Sequence, residues 1–187
     1  MAVAFLIKVS HGITLTPMNY ESKTSGKTVF INFSNPTCAH CKNMQPAWDK
    51  LTADYAGHEK FLVASVDCST EMGMIWCRDT FQVDGTPEIW YGSPEYHGAL
   101  LEFYEGGRSY EELATFAQEV FAKPLCSKEN MGACSEENKV TLEALLKADG
   151  KEPEIESKAA TEKKDTPMQP TAYNPSGDVA YTSSDEL

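Results

Sequence analysis

The sequence predicts an α/β fold in which a mixed central sheet is flanked by helices on both faces. Two segments rich in β-branched and aromatic residues, 28–34 (TVFINFS) and 61–67 (FLVASVD), have the composition of buried central strands. The segment between them has apolar residues at helical spacing, so the three form a β-α-β crossover unit. Two further strand-like segments follow in tandem after a second helix, an order typical of a mixed sheet.

The first elements are short, and the helix after them is long. A strand is predicted over residues 12–16 (GITLT), and a short helix and turn follow it and end at Gly26. The helix between the central strands is predicted from about Ala39 to Tyr55, because Gly57 ends a run of apolar residues at helical spacing. These residues are Met44, Trp48, Leu51 and Tyr55.

The second half continues the alternation of helix and strand. A weaker helix is predicted over about 70–80, with Ser69 or Thr70 as its N-cap. Two strands then follow, 87–92 (PEIWYG) and 99–107 (ALLEFYEGG), and the turn that joins them contains Gly and Pro.

A last helix closes the domain, which is expected to cover residues 12–123. It begins at the N-cap Ser109 and runs through about Ala122, with Glu111 and Glu112 in its first turn, where acidic side chains favour the helix dipole. From the first central strand onward the predicted order is β-α-β-α-β-β-α.

Residues 124–149 are predicted to form a helical extension. A loop bounded by Cys126 and Cys134 comes first, and a helix follows from about 136 to 147 with Ser135 as N-cap. We favour packing of this helix on the domain over a separate role in binding a partner. Its apolar side is predicted to consist of Val140, Leu142, Leu145 and Leu146.

Both ends of the chain differ in composition from the domain. Residues 150–187 are rich in Pro, Ser, Thr, Lys and Glu, and they are predicted to be a disordered tail. Residues 1–11 contain an apolar run that Lys8 and His11 follow at once, and we interpret them as a signal remnant, either degenerate or lacking its start. No stretch has the ~20 apolar residues that a membrane span needs.

Charge and cysteine content limit the functional classes. The formal net charge of -12 argues against nucleic acid as a partner, since phosphate binding needs clustered Lys and Arg. Six cysteines in three close pairs favour an oxidising compartment, and the alternative is six free thiols in a reducing cytosol. The pairs are Cys38 with Cys41, Cys68 with Cys77, and Cys126 with Cys134.

The pair Cys38 and Cys41 lies where a hydrophobic strand ends and a helix begins. A helix N-terminus carries partial positive charge and unpaired N–H groups, which stabilise a thiolate and lower a thiol pKa. Cys38, nearer the helix start, is therefore the predicted nucleophile. Cys41, one turn on, can attack a mixed disulfide formed at Cys38.

His40 lies between the two cysteines. A protonated imidazole there favours the thiolate and the reduced form, which makes the disulfide a better oxidant, and the alternative is a simple exposed histidine. A zinc site is the main rival for the pair, but the other cysteines are nine and eight positions apart rather than in a second C-x-x-C. A purely structural disulfide is the remaining alternative.

Four segments together resemble a thioredoxin-fold domain of the protein disulfide isomerase family over about residues 12–122. They are TVFINFSNPTCAHCKNMQPAW, FLVASVDCS, FQVDGTPEIWYG and FYEGGRSYEELATF. The resemblance implies a thiol–disulfide oxidoreductase or isomerase that uses its C-x-H-C pair on cysteines of client proteins of the secretory pathway, without a cofactor. It also implies a thiol oxidase or glutathione as redox partner.

The resemblance assigns further site residues. Thr86–Pro87 is expected to be a cis-proline turn that faces the redox pair, with the Thr86 backbone pairing with an extended substrate; an ordinary trans turn is the alternative. Arg108 matches an arginine expected to approach Cys41 and lower its pKa, and the alternative is a solvated loop charge.

Two residues depart from the family pattern. Thr37 precedes the first cysteine where the family usually has Trp, which changes the rim where substrates dock. Asn32 stands where the family places a buried acid, and an amide cannot act as a general base. We therefore expect slow deprotonation of Cys41, which leaves open a redox-dependent escort module that forms long-lived mixed disulfides.

The remaining cysteines and the C-terminus complete the resemblance. Cys68 and Cys77 resemble a structural pair of such domains, and Cys126 and Cys134 are expected to link their loop to the last helix. The final residues resemble an endoplasmic reticulum retrieval signal read by a receptor, so the lumen of that compartment is the expected location. A cytosolic reductant is the alternative. The signal consists of Ser184, Asp185, Glu186 and Leu187.

Overall fold

The computed structural model describes residues 12–149, so the expectations for residues 1–11 and 150–187 lie outside the described part. Its strands are β1 (Ile13–Leu15), β2 (Thr28–Ser34), β3 (Phe61–Asp67), β4 (Glu88–Ser93) and β5 (Leu100–Phe103). Its helices are α1 (Tyr20–Thr24), α2 (Ala39–Asp54), α3 (Glu71–Phe81), α4 (Tyr110–Phe121) and α5 (Glu136–Asp149). Within this part, none of the helices has the length and apolar character to cross a membrane.

The strands form one mixed sheet with the order β1-β3-β2-β4-β5. β1 and β2 run parallel to β3, whereas β4 is antiparallel to both β2 and β5. The ends of β2 and β3 stay in register, with Ser34 opposite Asp67, and the Cys68 N–H donates to the Ser34 carbonyl at 2.8 Å. The segments that follow these strands therefore leave the sheet at the same edge.

Each face of the sheet has its own apolar core, because side chains of a strand alternate between faces. Val29, Ile31 and Phe33 of β2 pack with residues of α1 and α3 on one face. Phe30 packs on the opposite face with Met44, Trp48 and Leu51 of α2 and with residues of α4. The predicted α/β class with helices on both faces of a mixed sheet is therefore confirmed.

The long helix α2 is fixed to the sheet by its buried side. Met44, Trp48 and Leu51 recur at helical spacing and are all buried. The indole Nε1 of Trp48 also donates to the Ser65 hydroxyl of β3 at 2.9 Å. These contacts hold the first turn of α2 at the edge where β2 ends.

Two helices begin at well-formed N-caps. Thr70, rather than Ser69, caps α3, since its side chain accepts from the Gly73 N–H. Ser109 caps α4 with a full capping box, in which its hydroxyl accepts from the Glu112 N–H and the Glu112 side chain bonds back to the Ser109 N–H.

The extension after the domain packs against β5. Leu142 of α5 lies in a small core with Leu100 and the Cys126–Cys134 disulfide. The predicted apolar side is wrong in one residue, because Val140 is 70% exposed while Asn138 is buried at 6%. Asn138 and Leu142 are four positions apart and share a helix face, whereas Val140 lies between them and points away.

Candidate active site

The turn after β2 places the first cysteine at the start of α2. Asn35 Oδ1 accepts hydrogen bonds from the Thr37 N–H at 2.8 Å and the Thr37 hydroxyl at 2.7 Å. The Cys38 N–H donates to the Asn35 carbonyl at 3.0 Å, which closes the turn. This is the local fold expected of an Asx residue before proline at the end of a strand. Thr37 is exposed at the rim of the site, with its hydroxyl directed at Asn35.

Cys38 is the N-cap residue of α2 and is half-buried. Its Sγ donates to the Thr86 carbonyl at 3.3 Å. The main-chain N–H of Cys41 is the largest cause that lowers the pKa of the Cys38 thiol; burial acts in the opposite direction, and the Cys41 thiol and the His40 N–H lower it further. The helix start therefore favours a thiolate at this sulfur.

Cys41 lies in the first turn of α2 and is only 2% exposed. Its Sγ accepts a hydrogen bond from the Asn35 N–H at 3.4 Å. Both Cys38 and Cys41 are free thiols in this structure. An accessible sulfur followed by a buried one gives the pair one entry point for another molecule, at Cys38.

The loop between α3 and β4 faces this pair. The Thr86–Pro87 peptide bond is cis, and the Thr86 carbonyl is the group that Cys38 contacts. Glu88 Oε1 accepts from the N–H groups of Asp84 at 3.1 Å and Gly85 at 2.9 Å, which fixes the loop. The structure thus brings the loop at Thr86 and Pro87 to the free thiol of Cys38.

A cleft of about 370 Å³ lies between the N-terminal part of α2 and the residues Pro87 and Arg108. The side chain of His40 is exposed, and its effect on Cys38 comes from its main-chain N–H. The Arg108 guanidinium donates to the Gly106 carbonyl at 2.8 Å and lies 5.4 Å from the centre of the Tyr104 ring. Arg108 lines the cleft, and neither of these two interactions involves Cys41. The cleft is lined by His40, Asn43, Met44, Pro87 and Arg108.

Asn32 lies in the middle strand β2 and is 1% exposed. Within residues 12–149, its Oδ1 atom has no hydrogen-bond partner. Phe30, two residues earlier on the same face, packs against Met44, and Cys41 lies one turn before Met44 on α2. Asn32 is therefore on the side of the sheet that the first turn of α2 covers.

The other four cysteines form two disulfides, neither of which includes Cys38 or Cys41. Cys68 and Cys77 link the end of β3 to α3, and Cys126 and Cys134 close the loop before α5. Among residues 12–149, the His, Cys, Asp and Glu side chains form no group of three or more that could hold a metal ion.

Sequence reasoning missed three residues of the site. Asn35 shapes the turn before Cys38, and the Asn-Pro dipeptide after a strand is the signal for such a turn. Asn43 and Met44 line the cleft together with His40. Their spacing of three and four positions from His40 on one helix places them on the same face, which was a usable signal.

Comparison with known proteins identifies similar chains. The family model described as Thioredoxin matches residues 11–119. Protein disulfide-isomerase-like protein EhSep2 of Emiliania huxleyi is 41% identical over 137 residues, which cover 72% of this chain and 59% of that protein. Human protein disulfide-isomerase A2 is 33% identical over 105 residues, 55% of this chain and 19% of its own length.

A solved structure is also similar. The solution structure of the first thioredoxin domain of mouse protein disulfide-isomerase A4 is 26% identical, with a TM-score of 0.47 and coverage of 57% of this chain and 73% of that one. This chain spans about three-fifths of EhSep2 and a smaller part of protein disulfide-isomerase A2.

Proposed function

The chain belongs to the thioredoxin family, and from this premise we propose that it is a thiol–disulfide oxidoreductase of the protein disulfide isomerase type that acts on cysteines of secretory proteins. The observation that carries the proposal is the contrast between the two sulfurs. Cys38 is accessible at a helix start that lowers its pKa, and Cys41 is buried one turn on.

The pair can exchange electrons with a client in two steps. The Cys38 thiolate attacks one sulfur of a client disulfide, so that a mixed disulfide forms and the other client sulfur leaves as a thiolate. Cys41 then loses its proton and attacks Cys38, which forms the Cys38–Cys41 disulfide and releases the second client thiolate. The client disulfide is thereby reduced by two electrons, and the reverse sequence oxidises a client dithiol.

The loop at Thr86 and Pro87 supplies the surface on which an extended client segment can lie. The Thr86 carbonyl already contacts the Cys38 sulfur, so a client that pairs with the Thr86 backbone has its own sulfur within reach of Cys38. Thr37, at the opposite rim, offers a small polar surface where the family usually has Trp.

Insulin reduction tests the proposal. The full chain should reduce insulin with turnover in the presence of a thiol reductant, and Cys38→Ser should abolish that activity. Reduced Cys41→Ala should accumulate mixed disulfides with secretory clients that carry a disulfide, because it lacks the sulfur that releases them. Equal activity of the wild type and Cys38→Ser would overturn the proposal.

A second function, long-lived capture of client thiols, is favoured by Asn32. An amide cannot accept the proton of Cys41, so the release step loses a contribution that general bases typically supply, about 10²-fold or more. If capture is the function, wild-type turnover should be low and Asn32→Asp should raise it. Asn32→Leu, which removes the buried Oδ1 without adding a base, is the matched control and should leave turnover low.

We place the protein in the lumen of the endoplasmic reticulum, with a thiol oxidase or glutathione to restore the disulfide. Support comes from the residues that resemble a retrieval signal, Ser184 to Leu187, and from the two disulfides outside the redox pair. An intact chain with a free C-terminus should be retained in that compartment, and removal of the last four residues should lead to secretion.

A further inference from the structure

We propose that the cleft beside Cys38 is a specificity subsite, which binds an acidic side chain of the client close to the cysteine that exchanges with Cys38. The inference rests on the proposed function and names the class of client that the site prefers. The residues that would recognise the carboxylate are Arg108, His40 and Asn43.

Among residues 12–149, Arg108 has no carboxylate partner, although the protein is acidic. The chain carries 16 Lys and Arg against 28 Asp and Glu, and only two of the cations are arginines. The other, Arg78, pairs with Asp79 at 2.7 Å. Within residues 12–149, no ion pair includes Arg108. A guanidinium that stays unpaired in a cleft is available to a carboxylate from outside.

The loop that carries Arg108 holds its guanidinium in place. One Nη donates to the Gly106 carbonyl at 2.8 Å, and the group lies over the Tyr104 ring. The Tyr104 hydroxyl in turn donates to the Gly107 carbonyl at 2.9 Å, which fixes the loop between β5 and α4. A pre-positioned guanidinium loses less conformational freedom when a carboxylate binds.

The remaining lining suits the same ligand. His40 and Asn43 lie three positions apart on the exposed face of α2, and both carry N–H groups that can donate to a carboxylate. Three acidic residues lie within four positions of Arg108, and none of them lines the cleft: Glu105, Glu111 and Glu112. The Glu112 carboxylate is engaged by the N–H and hydroxyl of Ser109. The polar wall of the cleft therefore offers donors and positive charge.

The cleft adjoins the reacting sulfur. Pro87 lines it and follows Thr86, whose carbonyl contacts the Cys38 sulfur, while His40 follows Cys38 by two positions. An extended client advances roughly 3.3–3.6 Å per residue. A side chain one or two positions from the client cysteine can therefore enter the cleft while the sulfurs exchange.

The test uses peptides with one cysteine activated as a 2-pyridyl disulfide. The Cys38 thiolate attacks the peptide sulfur, and a peptide–Cys38 disulfide forms as pyridine-2-thiolate leaves. The leaving group takes a proton from water and becomes 2-thiopyridone, which is followed by its absorbance. Reduced Cys41→Ala stops the reaction at this step. Each peptide carries Glu or Gln at one of four positions, which are the two before and the two after the cysteine. The rate of each peptide with the protein is divided by its rate with 2-mercaptoethanol, which corrects for the intrinsic reactivity of the peptide.

We expect a Glu peptide to react about two- to five-fold faster than its Gln partner at one or more positions, since exposed ion pairs have energies of that order. The ratio should fall toward one as salt is added. In the same Cys41→Ala background, Arg108→Gln should remove the preference and Arg108→Lys should keep part of it. Arg78→Gln, which changes the arginine outside the cleft, should leave it intact.

A ratio of one at all four positions, or a preference that persists in Arg108→Gln, would overturn the subsite. Failure of the proposed function is a different result, because then every peptide would react no faster with Cys38 than with the cysteine of an unfolded chain. The Glu-to-Gln ratio also separates recognition from any effect of Arg108 on the redox pair, since such an effect would change both rates equally.

Discussion

The two sulfurs of the redox pair differ in environment although they share one helical turn. Cys38 occupies the N-cap position of α2 and receives the main-chain N–H groups of Cys41 and His40, which favour its thiolate. Cys41 is enclosed and has a hydrogen bond from Asn35. These positions on one helix support the proposed roles, in which the first sulfur attacks the client disulfide and the second releases the client.

The lowered pKa of Cys38 gives a prediction for its pH dependence. Because the folded pKa lies below that of an unfolded cysteine, about 8.5, the thiolate fraction rises with pH and saturates earlier than in a free thiol. The carboxymethylation rate of Cys38, followed by mass mapping of the reduced chain, should reach half its plateau at a lower pH than the same thiol does in the unfolded chain. A thiol with a lower pKa in the folded state than in the unfolded state also makes folding stability depend on pH. The contribution of Cys38 to the free energy of unfolding is therefore greatest at alkaline pH and is lost as the pH falls through the lowered pKa.

The matched control is Cys38→Ser, in which Cys41 is the remaining thiol of the pair. Its buried sulfur should be alkylated slowly over the same pH range. A half-plateau of Cys38 at the same pH in the folded chain as in the unfolded chain, or at a higher pH, would contradict the assignment of the helix start as the activating feature.

Among the elements, α4 combines a structural and a functional role. Its capping box at Ser109 and Glu112 begins the helix directly after Arg108. Leu113, Ala117 and Phe121 of α4 then pack into the core that also holds α2. The cap thus fixes the residue at which the loop between β5 and α4 ends, and Arg108 is the residue directly before it.

Removal of the cap should lower stability by a known amount. Ser109→Ala deletes the hydroxyl that accepts from the Glu112 N–H and donates to the Glu112 carboxylate, and N-cap losses typically cost about 1 kcal/mol. Urea unfolding measures this free energy. Thr115→Ala removes a hydroxyl from the exposed face of the same helix and should change it by less than about 0.5 kcal/mol. Equal losses of unfolding free energy in the two variants would contradict a stabilising role of the cap.

At the scale of the molecule, three cysteine pairs divide into one reactive and two structural. Cys77, Cys126 and Cys134 are buried, whereas the redox pair presents Cys38 to solvent. Access and thiolate character control thiol–disulfide exchange. The folded chain should therefore resist reduction at two of its three disulfides.

Titration of the oxidised chain with a glutathione buffer tests this division. The Cys38–Cys41 disulfide should be reduced first, and Cys68–Cys77 and Cys126–Cys134 should remain until the chain unfolds. Differential alkylation and peptide mapping identify the pairs. Simultaneous reduction of all three pairs would contradict it, and unfolding in denaturant before titration is the control that exposes every disulfide.

Much of the fold was predictable because its signals are local. β2 and β3 coincide with the predicted segments 28–34 and 61–67, since continuous β-branched and aromatic composition marks a strand buried on both faces. The side of α5 was harder. Packing against β5 buries Asn138, whose amide finds the Leu100 carbonyl, and leaves Val140 outside, so a tertiary contact outweighs hydrophobicity there.

The candidate site was predictable only in part for the same reason. Cys38, His40 and Cys41 follow one another in sequence, so their placement at a helix start was visible in the pattern. The convergence of Arg108 and Pro87 on Asn43 and Met44 depends on three separate elements. No spacing in the sequence encodes that meeting. The side-chain oxygen Oδ1 of Asn32 has no hydrogen-bond partner within residues 12–149, and this too depends on neighbours from distant segments.

The contact between α5 and β5 affects how readily another polypeptide can pair with the edge of the sheet. The edge strand of an open sheet has unpaired N–H and C=O groups, to which an unfolded polypeptide can add a strand and so begin to aggregate. Here the outer border strand has its first carbonyl taken by the Asn138 amide, and the opposite border strand is only three residues long. The proposed function would bring this chain into contact with unfolded secretory proteins, and these two edges leave few unpaired backbone groups to which a client strand can add.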